Sequence, residues 1–171
     1  ASAPSADFKA ALYNLGKYIV VGASGKVFYS TDLSTWTTGS SNTTNTLNAV
    51  ASNGALAVAV GDTGTIRYTS DGATWTAAST VPTSASLYGV TYSASGTWLA
   101  VGANGTLLTS TDGSVWTLQN SHTTQTLRSV ASALLSSVTA VTSGVYSYAV
   151  VGDAGTVLNA TSADLGQWTL S

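Results

Sequence analysis

A single turn motif, spoken four times, constrains this chain more than any other feature. The segment 69–75, with Thr69, Asp71, Gly72 and Trp75 at its key places, returns with variation at 30–36, 110–116 and 162–168. Each copy has a hydroxyl residue two before an Asp, a Trp four after that Asp, and a Thr directly after the Trp. The pairs are Asp32 with Trp36, Asp71 with Trp75, Asp112 with Trp116, and Asp164 with Trp168. Self-similarity at a period of about 40 residues means stacked copies of one supersecondary unit that share an architecture.

Each unit carries three further parts ahead of its Asp turn. The first is a short alternating apolar segment that opens on Phe8, Leu47, Leu87 or Leu127. The second is a continuous apolar run ending in Val-Gly, at 18–22, 56–61, 98–102 and 148–152. Runs of this length, rich in Val and bounded by Gly, suit a strand covered on both faces better than a helix. A Gly-x-x-Gly follows, closing at Gly25, Gly64, Gly105 and Gly155, and predicts a tight hairpin in which the last Gly takes a positive φ. The third part is a strand carrying Val27, Ile66, Leu107 or Val157 two places after that Gly. The Asp turn closes it, with the carboxylate accepting from nearby backbone N–H groups. The Trp then opens a short fourth strand, and its ring is expected to be buried with the indole N–H donated to a neighbouring carbonyl. Extra residues at 134–145 make the last interval between Trp residues longer, and predict a loop or an extended hairpin.

Four strands per unit, repeated at this period, are the pattern of a propeller blade. The expected fold is all-β, a propeller-type array of four four-stranded antiparallel blades at 8–41, 46–80, 86–121 and 126–171, behind a flexible lead-in at 1–7. The unit resembles the Asp-box (BNR) repeats of sialidase-like propellers and the related repeats of photosystem II assembly factors, over residues 8–169. It departs from the Asp-box pattern by one residue: the Trp falls four rather than five after the Asp. Gly, where present, is one after the Asp, at Gly72 and Gly113, while Leu33 and Leu165 stand there in the outer copies. That resemblance implies that the Asp boxes sit on outer hairpins and serve structure. It also implies rings of five to eight blades, whereas four are present and no blade is shared between the two ends. Closure by face packing alone, pairing of two chains into a larger ring, and membership of a longer protein all remain open; self-association into a homo-oligomer is the expectation, because open blade faces are apolar.

Composition narrows the function. Only 7% of residues are charged, whereas Ser and Thr number 25 and 28 of 171. With a net charge of -2 and no basic cluster, nothing is present to neutralise phosphates, and nucleic-acid binding is not expected. No apolar run is long enough for a membrane span, and none is expected to insert. Cysteine is absent, which removes disulfides, thiol catalysis and thiolate metal sites. The small-residue start 1–6 resembles the stub left by a secretory signal, so a secreted or cell-surface setting is expected, the periplasm included. Asn42, Asn104 and Asn159 fit the N-glycosylation pattern, which a chain this rich in Asn, Ser and Thr produces by chance.

No catalytic, metal or cofactor site is expected. A sialidase holds a carboxylate with three Arg, and this chain has only Arg67 and Arg128. Asp62 and Asp153 occupy equivalent hairpin positions, but Ala23 and Ala103 stand there in the other blades, so the slot reads as a turn position rather than as a hydrolase pair. His122, the only His, lies in a polar link with no second ligand. Aromatic residues remain, and Tyr29, Tyr68, Tyr88, Trp98 and Tyr146 are the candidates to contact a glycan or protein ligand. The leading expectation is thus a non-catalytic recognition module. The alternatives are a self-assembling ring or filament subunit of the cell surface or extracellular matrix, and an assembly factor of the photosystem type.

Overall fold

The computed structural model describes residues 5–135, 145–161 and 167–170. These form four antiparallel meanders, and every strand pairs with its neighbour in sequence. The first sheet contains β1 (Phe8–Asn14), β2 (Lys17–Gly22), β3 (Val27–Ser30) and β4 (Thr37–Thr38). The second has β5 (Leu47–Ser52), β6 (Ala57–Gly61), β7 (Ile66–Thr69) and β8 (Thr76–Ala77). The third has β9 (Leu87–Ser93), β10 (Thr97–Gly102), β11 (Leu107–Ser110) and β12 (Thr117–Gln119). The fourth has β13 (Leu127–Leu135), β14 (Val145–Gly152), β15 (Val157–Thr161) and β16 (Thr169–Leu170). β1, β5, β9 and β13 stand side by side along the inner edge, and the short fourth strands lie outermost. The insertion lengthens the first hairpin of the fourth sheet, with Leu135 paired to Val145; its central residues, 136–144, lie outside the described residues.

Each blade has a back face turned to the blade before it and a front face turned to the blade after it. Alternation along the second strand sorts the side chains between the two. Ile19 and Val21 point forward to meet Trp75 of the second blade, together with Leu47, Ala57 and Ala59 of its back face. Val58, Val60 and Ile66 likewise meet Leu87, Trp98, Ala100, Leu108 and Trp116. Leu99, Val101 and Leu107 meet Leu127, Tyr148, Val150, Leu158 and Trp168. The core is therefore three interfaces between sheets rather than one central cluster, and β6 and β10, covered on both sides, are buried end to end but for Thr97.

Trp36 breaks the expectation that every repeated Trp is buried: it is only half-buried. The difference is positional: among the described residues no blade lies against its ring, whereas Trp75, Trp116 and Trp168 each sit on the blade before them. The indole N–H expectation is met at Trp36, which donates to the Leu33 carbonyl at 3.2 Å, and at Trp116, which donates to Gly113 at 3.0 Å. It fails at Trp75 and Trp168, whose buried Nε1 atoms have no acceptor among the described residues.

The Asp turns are built as the sequence motif requires. Asp112 Oδ1 accepts from the backbone N–H of Ser114 and Val115, both at 2.8 Å, and Asp32 and Asp71 repeat the pattern. The hydroxyl two places earlier bridges the turn: Ser110 Oγ donates to Asp112 Oδ1 at 3.0 Å and accepts from Gly113 N–H at 2.9 Å. The residue after the Asp has a positive φ in all three, at Leu33 (62°), Gly72 (72°) and Gly113 (77°). Conformation alone does not demand Gly, since Leu33 adopts it. Space does: a Cβ on Gly72 would lie 2.9 Å from Ile19 Cδ1, and one on Gly113 would lie 2.9 Å from Leu56 Cδ2 on the preceding blade. Asp164 and Leu165 fall outside the described residues.

Two outcomes are expected in urea unfolding. Trp116→Ala should lose about 3–5 kcal/mol, as for other buried aromatic truncations, and Gly113→Leu about 1–3 kcal/mol through overpacking; a loss within experimental error for either contradicts the interface described. The carboxyls of Asp32, Asp71 and Asp112 are all held below their ordinary range, chiefly by backbone N–H donors. A lowered folded-state value adds stability that is complete above the usual carboxylate range and disappears as pH falls through the folded values. The urea midpoint should therefore drop on going from about pH 6 to about pH 3, and the Asp112→Ala variant should show a smaller drop than the parent.

Candidate functional site

The antiparallel meander sends the two ends of each blade to different jobs. The β1–β2 hairpin and the Asp turn lie at one end, where Lys17 Nζ of the first blade donates to the Asp71 carbonyl of the second at 2.6 Å. The β2–β3 turn and the link to the next blade lie at the other. There the turn is type I′, with Ser24 and Gly25 at φ 55° and 66° and Lys26 N–H donating to the Ala23 carbonyl at 3.1 Å. Thr63, Asn104 and Ala154 repeat the position of Ser24, so two successive residues take a positive φ, one more than the Gly-x-x-Gly pattern predicts.

At this link end every first strand carries a β-bulge. Phe8 pairs with Gly22 and Ala10 with Val21, which leaves Lys9 as the extra residue. The same slip leaves Asn48 between Leu47 and Ala49, Tyr88 between Leu87 and Gly89, and Arg128 between Leu127 and Ser129. The glycine ending the second strand permits it, because the chain entering the first strand crosses directly over that glycine. A Cβ on Gly22 would run into the Asp7 carbonyl oxygen, and one on Gly61 into that of Thr46. Bulges of this kind re-aim a side chain at the edge of a sheet. Here they place Lys9, Asn48, Tyr88 and Arg128 along one arc at the inner edge.

The arc is polar and already paired. Lys9 Nζ lies 2.8 Å from Asp7 Oδ2. Asn48 Nδ2 donates to Asp62 Oδ1 and to the Leu87 carbonyl of the next blade, both at 3.0 Å. Arg128 forms a two-pronged bond to Asp153, Nε to Oδ1 and the second prong to Oδ2, each 2.8 Å, while its guanidinium carbon sits 5.0 Å from the centre of the Tyr88 ring. The guanidinium holds the Asp153 carboxyl below its usual range, and the carboxylate in turn raises Arg128. Both partners are about half exposed, so the pair contributes little to stability. Two open hollows of about 590 and 480 Å³ flank the same end, lined by Ser41, Asn42 and Thr43 in the first blade and by Asn120, Ser121 and Thr123 in the third.

The aromatic candidates are not brought together. Trp98 is 0% exposed, wedged between blades with its ring 4.8 Å from Tyr92, and presents no face to a ligand. Tyr29 lies under Lys17 Nζ, 4.7 Å from the ring centre, and Tyr68 and Tyr146 pack at the margins of the second and third interfaces. Tyr88 alone joins the arc. The residues missed from sequence were the other three bulge positions, which share no residue type; their only signal is the place directly after Phe8, Leu47 and Leu127. Arg67 is spent elsewhere, donating to the Asn42 carbonyl across the first interface at 3.0 Å. His122 is exposed in its link. Asp62 and Asp153 are engaged by Asn48 and Arg128 rather than by each other. Among the described residues no three His, Cys, Asp or Glu side chains gather to hold a metal, and no helix is long and apolar enough to cross a membrane.

No protein-family model matches the chain, and no curated protein matches it in sequence. Solved structures do match in fold. The chain is similar to YCF48 from Cyanidioschyzon merolae, with a TM-score of 0.66 and 17% identity, over 96% of this chain and 55% of that one. A structure of YCF48 bound to D1 peptide matches at a TM-score of 0.65 with the same identity, over 96% and 52%. The RRP9 WD40 repeats match at 0.69 with 7% identity, over 99% and 52%. The chain spans about half the length of each of these structures, and what they share with it is the β-propeller scaffold.

Proposed function

We propose that this chain is a non-catalytic, secreted or surface-exposed recognition module that binds an extended segment of another protein along the arc of Lys9, Asn48, Tyr88 and Arg128. The observation that carries this is the repeated bulge. It aims one long side chain per blade at the same edge, and five of the chain's twelve charged residues, Asp7, Lys9, Asp62, Arg128 and Asp153, gather there. A peptide backbone offers alternating donors and acceptors, and the arc has both: Lys9 and Arg128 donate, while Asp62 and Asp153 accept. The Arg128 fork, ordered by Tyr88 and half exposed, can exchange Asp153 for a carboxylate on a ligand at small cost. The structure of YCF48 with D1 peptide adds that a propeller of this architecture accommodates a peptide. An assembly factor of the photosystem type is a narrower form of the same proposal.

Glycan binding has less support. Neutral sugars stack on open aromatic faces, and of the five aromatic candidates Trp98 is buried, Tyr29 lies beneath Lys17 and Tyr88 beneath Arg128. A library of displayed peptides panned against the chain, with a glycan array run in parallel, separates the two. Enrichment of peptides whose affinity falls about tenfold or more in Arg128→Ala, in line with loss of an interface arginine, is expected. Enrichment that ignores both Arg128→Ala and Lys9→Ala, or binding on the glycan array alone, contradicts the proposal.

A further inference from the structure

Asn precedes Gly at two places in this chain, Asn53-Gly54 and Asn104-Gly105. A carboxamide so placed is open to attack by the nitrogen of the peptide that follows it, because Gly carries no Cβ to shield that atom. The fold holds the two pairs in opposite ways. Asn104 lies in the turn between β10 and β11, at φ 55° and ψ 36°. Gly105 is buried beneath the link to the fourth blade: its N–H donates to the Gln125 carbonyl at 2.9 Å, and a Cβ there would run into the Thr123 carbonyl oxygen. That nitrogen can turn toward a side chain only if the turn first parts from the link.

Asn53 begins the loop between β5 and β6, at the Asp-turn end of the second blade. Asn53, Gly54 and Ala55 are exposed, and beyond its chain neighbours no atom lies within 4 Å of the place a Cβ on Gly54 would take. The Gly54 N–H reaches only the Ser52 hydroxyl, at 3.0 Å. The Asn53 carboxamide is folded back over the loop, with Oδ1 accepting from Ala55 N–H at 3.0 Å and from Leu56 N–H at 2.7 Å.

From this contrast we infer that Asn53 is a site of spontaneous deamidation and that Asn104 is protected. The Gly54 nitrogen gives its proton to water and attacks Asn53 Cγ. Negative charge develops on Oδ1, where two backbone N–H groups already point. The Cγ–Nδ2 bond then breaks, Nδ2 takes up a proton and leaves as ammonia, and a succinimide ring remains. Water opens that ring at either carbonyl, giving aspartate, or isoaspartate with the main chain rerouted through Cγ. Nothing is oxidised or reduced; the amide nitrogen is exchanged for an oxygen from water. An exposed loop opens locally at little free energy, whereas Gly105 is tied to the array.

The same loop sets Leu56. Its carbonyl accepts from Asn53 N–H at 3.1 Å and from Ser52 Oγ at 2.9 Å, and its Cδ2 would lie 2.9 Å from a Cβ on Gly113 of the third blade. An aspartate at position 53 keeps the side-chain oxygen that holds Leu56 N–H. Isoaspartate adds a main-chain carbon inside the loop and moves the free carboxylate to what was the main-chain carbonyl carbon, so the support under the third blade's Asp turn shifts. Deamidation at Asn53 does not depend on what the bulge arc binds.

Incubation of the chain at about pH 8, where loss of the amide proton is favoured, followed by peptide mass mapping, reads each site as a gain of about 1 Da. Asn53 should convert about tenfold or more faster than Asn104 in the folded chain, and the two should convert at like rates in urea. The isoaspartate-rich fraction, isolated by anion exchange, should unfold at lower urea than the parent, while Asn53→Asp should unfold where the parent does. Equal rates at the two sites in the folded chain, a faster Asn104, an Asn53 that converts only after unfolding, or the same ratio persisting in urea each overturns the inference. An isoaspartate fraction as stable as the parent overturns the role given to Leu56.

Discussion

The seating of one blade's indole and Asp turn on the second strand of the blade before it is the contact from which the rest of the structure follows. It gives each sheet a back and a front, and it leaves no room for a Cβ at Gly72 and Gly113, where those turns touch down. It also explains why the hydroxyl, the Asp and the Trp travel together. The hydroxyl and carboxylate tie off the backbone donors of a turn that would otherwise be orphaned, and the turn then delivers the ring at a fixed height. The stabilisation resides in the apolar contacts between sheets, because a chain with so few charges has little else to draw on. Each interface joins nearest neighbours only, so blades are stacked units rather than parts of one shared core.

What was legible in the sequence is what repeats in residue type. Asp32, Asp71 and Asp112 occur at a fixed spacing because the turn tolerates little else, and the Val-Gly runs declare buried strands because both faces are covered. Trp36 shows the limit of that logic. Its motif has the same hydroxyl, Asp and Trp as that of Trp116, with Leu33 in place of Gly113, yet one ring is half open and the other sealed, since burial depends on a neighbouring blade and not on the shared residues. Trp98 was misplaced for the opposite reason: an aromatic inside an apolar run looks available until the next sheet is laid on it.

The bulge arc was the least legible part. Lys9, Asn48, Tyr88 and Arg128 share a backbone position and no chemistry, and a slip of register between paired strands leaves no mark on composition. Only the glycine that ends each second strand hints at it, and that hint is steric. The division of labour is nonetheless coherent: residues alike in all blades maintain the array at one end, and residues that differ from blade to blade collect at the other. A scaffold of this kind can vary its recognition surface without disturbing the contacts that hold the sheets together.

Backbone amide exchange resolved to individual strands tests the central claim most directly. With sheets sealed face to face, the amides of β6 and β10 exchange only when the whole array opens, while those of the outermost β4, β8 and β12 exchange orders of magnitude sooner. Exchange in β6 and β10 as fast as in those outer strands would mean that the blades do not cover one another, and would contradict the account.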